Sequence, residues 1–393
     1  MQTDESSKLL KILAIMAGII FLPLIGLYIK ENGVIPPDFF QYPPLSAPTK
    51  PASPVTLFRG SVVVIMVLLA ITFYIKPYWF GFKKVPNAIL PAVEKVKFPL
   101  WGWIGVFMLG IPLALLWGHF SEPKVLLNWA WVPVFWGYTF LLDGILYVRT
   151  GGKSIVNNSP KEMIAIGISA MGGWMIFEYL NFFVDDNWFY PNGGSIPDDE
   201  FLLYAIIGSS GLIPVIFVIY RLLNTFPNIK NKYSQGPKFS LSNWQVNLIM
   251  AIFLIGLTII SFLPDQLFGL LWIAPMGLLA IGLRKIGLWS PFTEIKNGNW
   301  SPFFKYSLTY LIYGVSLECI NYFSAQHPIN EPLITHTPAY WVYSIPYVNF
   351  WHLFEMPILG FLGYLPFGLY CSVYWISFAY LLNIPSSYLE DEN

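Results

Sequence analysis

Two short polar patterns in this chain combine residue types that could do acid–base chemistry, and each occurs twice. Each is a glutamate with an asparagine three residues later, followed by a tryptophan and a tyrosine two residues apart: Glu178, Asn181, Trp188 and Tyr190, then Glu318, Asn321, Trp341 and Tyr343. Glu-x-x-Asn places both side chains on one face of a helix. Three roles are open for the glutamates: helix-end groups in interfacial water, anchors for the following loop, or catalytic and ligand-binding groups.

The aromatic residues of each pattern also allow two interpretations. Tryptophan and tyrosine are enriched at both membrane interfaces, so these side chains could simply be interfacial residues. Alternatively, they form a lid over an apolar ligand. In that second interpretation, Asn181, Asn321 and the four aromatic residues are candidate ligand contacts.

Further acids and one histidine open the helices that we predict after each pattern. Asp199 and Glu200 lie at the first of these helix starts, where the helix dipole favours negative side chains. Capping is therefore one role, and the other is ligand binding by Asp199 with proton donation by Glu200. His352 and Glu355 lie three residues apart at the second start, a spacing that suits a proton shuttle or a metal site. Because no second histidine lies on that helix, we predict no metal and no cofactor.

The composition indicates that the chain carrying these residues is a membrane protein. Of the 393 residues, 55% are hydrophobic and only 11% are charged, and the mean hydropathy is +0.57. Soluble domains carry about 25% charged residues, so this chain is too apolar for water. The net charge is zero, which argues against a nucleic-acid partner.

Apolar stretches near the length that spans a bilayer recur along the whole chain. They predict ten transmembrane helices in an all-α polytopic fold, at about residues 9–29, 60–80, 98–119, 126–147, 162–183, 200–222, 245–263, 267–285, 304–323 and 354–382. With both termini in the cytoplasm, only Lys30, Lys50, Arg59 and Lys124 of the 22 lysines and arginines fall outside. Because cationic residues concentrate on the cytoplasmic side, this asymmetry supports both the count and the orientation.

An internal duplication organises most of the chain. Glu178 and Asn181 match Glu318 and Asn321 at an offset of 140 residues, and Gly208-x-x-Gly211-x-x-Pro214 returns as Gly360-x-x-Gly363-x-x-Pro366 at 152. Four helices per copy give two repeats in the same orientation. The predicted domains are an N-terminal helical hairpin with a Pro-rich outside loop, two membrane repeats and a short cytoplasmic tail: 1–97, 98–224, 244–384 and 385–393.

One segment resembles a known family. A stretch of about 50 residues of the first repeat, with residues 188–204 as its motif, resembles the small membrane domain of heterodimeric-type lycopene cyclases. That domain carries a Trp-x-Tyr segment and a Pro-x-Glu-Glu motif opening its last helix, and it is used in pairs. The matching positions are Trp188, Tyr190, Pro197, Asp199 and Glu200 in the first repeat and Trp341, Tyr343 and Glu355 in the second. In the second repeat, Trp351 and His352 stand in place of that motif's acids. The resemblance implies a carotenoid-modifying enzyme.

These observations predict an acid–base isomerase, cyclase or hydratase that acts on a carotenoid or other isoprenoid lipid at the outer side of the membrane. Glu200 with Glu178 would serve the first repeat, and Glu355 with Glu318 and His352 the second. A carboxylic acid would protonate a double bond, and aromatic faces would stabilise the resulting cation.

Two other classes of function stay open. The chain could be a structural or accessory subunit of a larger membrane complex, with membrane-protein partners bound through the N-terminal hairpin and residues 30–57. A transporter is the third choice, because no acid or base lies near the predicted middle of the membrane. The expected location is a bacterial or archaeal cytoplasmic membrane.

Overall fold

The computed structural model describes residues 2–48, 50 and 54–386, and this part of the chain is mostly helical. Its α-helices are, in chain order, α1 Gln2–Lys30, α2 Leu57–Ile75, α3 Leu100–Trp117, α4 Lys124–Asn128, α5 Trp131–Arg149, α6 Ile155–Asn158, α7 Pro160–Phe182, α8 Asp198–Ser209, α9 Pro214–Asn224, α10 Pro227–Lys230, α11 Asn243–Ile259, α12 Pro264–Leu267, α13 Leu270–Ile286, α14 Ser301–Phe323 and α15 Tyr364–Leu381. Short 3₁₀ segments lie at Pro77–Phe80, Gly193–Ser195, Ile260–Phe262, Thr293–Asn297 and Ile358–Gly363.

Strands occur in the described residues only as three antiparallel pairs of two residues each. They are β1 Trp188–Phe189, β2 Ala325–Gln326, β3 Ile334–Thr335, β4 Val342–Tyr343, β5 His352–Leu353 and β6 Met356–Pro357. β1 pairs with β4, β2 with β3, and β5 with β6. All six lie in loops at the end of the molecule where α7 and α14 finish, which we call the carboxylate end.

Eight stretches of the described chain are helical, long and apolar enough to cross a membrane. They are Glu5–Lys30, Leu57–Ile75, Leu100–Trp117, Trp131–Arg149, Pro160–Phe182, Asp198–Asn224, Asn243–Phe262 and Ile358–Leu381. The chain is therefore an integral, multi-pass membrane protein, as its composition predicts. The other two predicted spans coincide with α13, which has 17 residues, and with α14, whose many hydroxyl-bearing side chains lower its hydropathy.

The long helices pack in two similar groups, one from α3 to α9 and the other from α11 to α15. α5 contacts both α3 and α9, and α13 likewise contacts both α11 and α15. The groups meet where α9 packs on α14 and α15 packs on α7. α1 lies mainly against α11 and α13, whereas α2 lies against the 3₁₀ segment Ile358–Gly363. The two helices of the predicted N-terminal hairpin therefore pack mainly on different neighbours.

The helix predicted at about 200–222 is two helices, α8 and α9, separated by a four-residue break. Pro214 begins α9, and a proline lacks the amide hydrogen needed to continue the helix before it. Gly211 lies in the break, where an added Cβ would lie only 2.6 Å from the Phe135 Cβ. The glycine therefore lets the broken segment approach α5 closely.

The start of the last predicted helix is wrong. Residues 352–357 form the β5–β6 hairpin, and a 3₁₀ segment precedes α15, which begins only at Tyr364. Trp351 and Phe354 have positive φ angles of 51° and 59°, a conformation incompatible with a right-handed helix. His352 and Glu355 therefore do not share a helix face, and the predicted arrangement of this pair is corrected.

Candidate functional site

The two Trp-x-Tyr segments meet each other at the carboxylate end. β1 and β4 pair so that Trp188 lies opposite Tyr343 and Phe189 lies opposite Val342. The two three-residue segments thus run in opposite directions, with their middle residues facing each other. One antiparallel contact therefore joins the two loops, and it places both polar patterns in a single region.

Glu178 is buried at the end of α7, with 2% of its surface exposed. Its carboxylate accepts three hydrogen bonds from aromatic side chains: Trp174 Nε1 at 2.8 Å, Trp188 Nε1 at 3.3 Å and Tyr190 Oη at 2.6 Å. Both oxygens have donors. The interpretation that places this glutamate in interfacial water is wrong, because aromatic rings enclose it.

Glu318 has a closely similar environment at the end of α14 and no exposed surface. Its Oε1 atom accepts three hydrogen bonds: from Trp341 Nε1 at 3.3 Å, Tyr343 Oη at 2.7 Å and Tyr364 Oη at 2.5 Å. Its Oε2 atom is buried and has no hydrogen-bond partner among the described residues. The interfacial-water interpretation is therefore wrong for this glutamate as well.

The two asparagines hold the loops that carry the aromatic residues. Asn181 Nδ2 donates to the Trp188 carbonyl oxygen at 2.8 Å. Asn321 Nδ2 donates to the Trp341 carbonyl oxygen at 2.8 Å, and its Oδ1 accepts from the Trp341 amide at 3.2 Å. Each asparagine thus fixes the backbone of the tryptophan whose side chain bonds the neighbouring glutamate, as expected of a loop anchor.

The third donor to Glu178 comes from its own helix, whereas the third donor to Glu318 comes from a neighbouring helix. Trp174 lies four residues before Glu178 on α7, but the residue four positions before Glu318 is Gly314. Tyr364 of α15 occupies the space over this glycine, since an added Cβ at Gly314 would lie 2.4 Å from its ring. A tyrosine from a neighbouring helix therefore replaces the tryptophan and supplies the same kind of hydrogen bond.

Four tryptophans pack across the boundary between the two helix groups. The Trp131 ring, at the start of α5, lies 4.8 Å from the Trp341 ring. The Trp272 ring, near the start of α13, lies 5.6 Å from the Trp188 ring. Each group therefore supplies one tryptophan that packs on the Trp-x-Tyr segment of the other group.

These rings line a cavity of about 410 Å³ at the carboxylate end. Glu178 lies in its wall together with Trp131, Trp174, Trp188, Trp272 and Trp341. Glu318 does not line it, but Tyr343 and Tyr364, which bond to Glu318, do. No lysine, arginine or histidine is among the described residues that line the cavity. It is thus an aromatic chamber with one carboxyl group in its wall.

The Pro-rich loop between α1 and α2 covers the first of the two sites. The Pro44 carbonyl oxygen accepts a hydrogen bond from the Tyr190 amide at 2.7 Å, and the Tyr42 ring lies 5.5 Å from that of Phe201. Lys50 Nζ donates to the Val184 carbonyl oxygen at 2.7 Å. The described part of this loop therefore packs on its own chain.

Lys50 also lies among three aspartates of the neighbouring loops. Its Nζ is 3.8 Å from Asp265 Oδ1, and it interacts electrostatically with Asp185 and Asp186. The pKa of Asp186 is raised to about 7, mainly by burial; Lys50 lowers it in part, and the charges of Asp185 and Glu178 add to the rise. Folding therefore favours the protonated form of Asp186.

This shift predicts a pH dependence of stability. An acid whose pKa is higher in the folded than in the unfolded state takes up a proton on folding, so stability falls as pH rises from about 4 to about 7. We expect Asp186→Asn to flatten the decline of the melting temperature over that range. The exposed Asp198→Asn is the matched control, and equal pH profiles for both variants would contradict the assignment.

The remaining candidate residues lie apart from the cavity. Glu200 is half-buried at the start of α8, where it accepts a hydrogen bond from Tyr204, and Asp199 is exposed. His352 is exposed and bonds Asn349. None of these three, nor Glu355, lines the cavity, although Tyr204 does. The structure therefore brings together the two patterns but not the predicted acids of the helix starts.

Glu355 interacts electrostatically with Glu318 and bonds partners that the sequence did not indicate. Its Oε1 accepts a hydrogen bond from Tyr340 and lies 2.8 Å from His327 Nε2. The His327 ring stacks on Tyr322 at 4.1 Å. His327 and Glu355 lie 28 residues apart in irregular loops, and no spacing rule connects them.

Two further donors at the site, Trp174 and Tyr364, were also missed. Trp174 could have been found, since it lies one helical turn before Glu178 on the same face. Tyr364 could not, because its role depends on the absent side chain at Gly314.

Within the described residues, no group of three or more His, Cys, Asp or Glu could hold a metal ion. No protein-family model, no curated protein and no solved structure matches the chain.

Proposed function

We propose that the chain is a ten-helix membrane protein with both termini in the cytoplasm and two four-helix repeats in the same orientation. The matched contacts of Glu178 and Glu318 support the duplication, as do the similar packing of the two helix groups and the β1–β4 register. The distribution of lysine and arginine supports the orientation. In this topology, the aromatic chamber lies near the outer surface of the membrane.

The function we infer is acid–base conversion of an isoprenoid lipid, such as a carotenoid, with Glu178 as the group that exchanges protons. The observation that carries it is the position of this single carboxyl group in the wall of a tryptophan-lined cavity. An apolar wall with few polar groups is typical of sites for apolar ligands. Glu318 takes a positioning role, because Tyr343 and Tyr364 separate it from the cavity.

The chemistry is redox-neutral and needs no cofactor. Protonated Glu178 transfers its proton to one carbon of a double bond, so that a C–H bond forms, the π bond breaks and a carbocation results. Loss of a proton from a neighbouring carbon back to Glu178 then forms a new double bond. The faces of the surrounding tryptophans stabilise the cation between these steps, and Tyr190 holds the carboxyl group in place.

The size of the chamber limits what part of the substrate it takes. A cavity of about 410 Å³ lies within the range of pockets that hold drug-sized ligands. It is too small for a complete carotenoid. The chamber therefore holds one end of a long hydrocarbon chain, and the remainder extends into the lipid.

A structural role is the second candidate, and a specific observation favours it. Every donor to the two carboxylates comes from the loops or helices that the carboxylates join. Such a network would fix the loops of an accessory subunit equally well. The two candidates differ in whether the cavity binds a hydrocarbon.

The test is a pair of glycine substitutions, one that fills the cavity and one that does not. Gly208 lines the cavity, and an added Cβ there would make only ordinary contacts of 3.8 Å or more. Gly208→Leu is expected to lower the isoprenoid lipid that co-purifies with the protein by about tenfold, because the added side chain occupies the ligand volume. Mass spectrometry of extracts from protein purified in mild detergent measures this.

Gly110→Leu is the matched control, because its added Cβ meets nothing within 4 Å and Gly110 does not line the cavity. This variant should retain the lipid. Equal lipid content in the two variants, or none in the unaltered protein, would refute ligand binding by the chamber and leave the structural role.

A further inference from the structure

A second cavity, of about 230 Å³, lies at the opposite end of the molecule from the carboxylates. The residues that line it include Tyr78, Lys83, Lys84, Asn87, Asn228 and Lys232. Phe304, near the start of α14, packs on the neighbouring Phe82 and Tyr233. Glu318 lies 14 residues further along α14, which corresponds to about 21 Å. The cavity is therefore separate from the aromatic chamber.

Two distant parts of the chain build this cavity. One is the segment that follows α2, and the other is the connection between α9 and α11. The Lys83 amide donates to the Gln235 carbonyl oxygen at 2.8 Å, and the Ala88 amide donates to the Pro227 carbonyl oxygen at 2.9 Å. These backbone bonds hold the two segments at a fixed separation, so the cavity is built into the fold.

The charge in this cavity is entirely positive. Three lysines line it and no described aspartate or glutamate does. Lys76 lies nearby, and none of these four lysines forms an ion pair with any other described residue. Burial lowers the pKa of Lys232, and the charge of Lys76 lowers it further. Cations held together without a counter-ion repel each other, and a bound anion would relieve this repulsion.

We propose that this lysine-lined cavity binds a phosphate or diphosphate group. Lys83 and Lys84, which are exposed, and Lys232, which is half-buried, border this small concave site and supply the positive charge that such a group requires. Asn87 and Asn228 add side-chain amides that can donate to its remaining oxygens. The site lies where α2 ends, beside the largely exposed Trp79. Because exposed tryptophans are enriched at membrane interfaces, we place the site at such an interface.

The phosphate can come from two sources, which share the chemistry that the cavity recognises. One is the headgroup of an anionic phospholipid in the adjacent leaflet, since basic pockets next to membrane helices bind such headgroups. The other is a free phosphate or diphosphate ion from the aqueous phase. The experiment below has one arm for each source.

The test uses the full-length protein with the triple variant Lys83→Gln/Lys84→Gln/Lys232→Gln. In the first arm, titration calorimetry measures the binding of inorganic diphosphate in neutral detergent. In the second, native mass spectrometry counts phosphatidylglycerol retained from mixed vesicles of phosphatidylglycerol and phosphatidylcholine. The control Lys95→Gln/Lys97→Gln/Lys296→Gln removes the same charge from exposed positions outside the cavity.

We expect the triple variant to lose binding by about tenfold or more in the arm that matches the natural source, because each charge-assisted bond contributes strongly. The control should bind like the unaltered protein. Saturable diphosphate binding assigns a free ion, and selective retention of phosphatidylglycerol alone assigns a lipid headgroup. Equal losses in the triple variant and the control, or no binding in either arm, would overturn the proposal. Melting temperatures of both variants verify that each is folded.

Discussion

Glu178→Gln is expected to abolish product formation, with a loss of about 100-fold or more, because general acid–base groups contribute on that scale. Glutamine has nearly the same shape and keeps an oxygen that accepts from Trp174 or Trp188. The Tyr190 hydroxyl can rotate to accept from the new amide. The variant should therefore fold and lose about 1–3 kcal/mol of stability at most, while it cannot transfer a proton.

The measurement is the lipid and pigment content of a host that expresses each variant, determined by liquid chromatography and mass spectrometry. Glu331→Gln is the matched control, since this glutamate is exposed in the loop that separates Asn321 from Trp341. The proposed chemistry fails if Glu178→Gln leaves these profiles unchanged. A protein that is absent from the membrane in the Glu178→Gln host would instead support the structural role.

Gly314→Trp is expected to be the most destabilising single substitution at the site, by about 3 kcal/mol or more, because the tryptophan must displace a packed ring. Even a Cβ at this position would lie 2.4 Å from the Tyr364 ring. Tyr364→Leu alone should cost about 2–4 kcal/mol, since it leaves a void above Gly314 and removes one donor to Glu318.

The double variant Gly314→Trp/Tyr364→Leu should be more stable than the sum of the two single effects by about 2 kcal/mol. It gives Glu318 a tryptophan four residues earlier on the same helix, as Trp174 is for Glu178, and puts leucine at position 364, as at the matching position Leu212 of the first repeat. Unfolding in detergent, followed by circular dichroism, gives the three free energies. This result would also support the duplication directly.

Gly314→Trp/Tyr374→Leu is the control pair for this cycle. Tyr374 is a mostly buried tyrosine on the same helix as Tyr364, but it lies about 15 Å further along α15. Its effect should add to that of Gly314→Trp without coupling. If the effects of Gly314→Trp and Tyr364→Leu were also additive, the proposed equivalence of the Trp174 and Tyr364 donors would be contradicted.

The sequence predicts most of the helices because apolar length alone specifies a membrane span. It also predicts that the two polar patterns belong to one repeated site, because Glu-x-x-Asn and Trp-x-Tyr recur at consistent offsets. It does not predict the start of α15, since the hairpin 352–357 forms by pairing within a loop that has no repeating apolar pattern.

The identity of the acid at the cavity is the other part that the sequence could not supply. From the sequence alone, Glu200 and Glu178 are equally suitable as the catalytic acid, because both lie at predicted helix ends in the same repeat. Only packing distinguishes them, since Glu178 is enclosed by rings from α7 and from the 188–190 segment, whereas Glu200 is half-exposed beside Tyr204. The partnership of His327 with Glu355 depends likewise on contacts between distant loops.

The crossed packing of the tryptophans has a consequence for the ancestry of the molecule. Trp131 rests on the Trp-x-Tyr segment of the second half, and Trp272 rests on that of the first. A chain with only one half could not complete either pair by itself. It would have to associate with an identical copy around a twofold axis. The proposed duplication thus implies an ancestral dimer of half-length chains, in which each copy supplied the tryptophan that packs on the Trp-x-Tyr segment of the other.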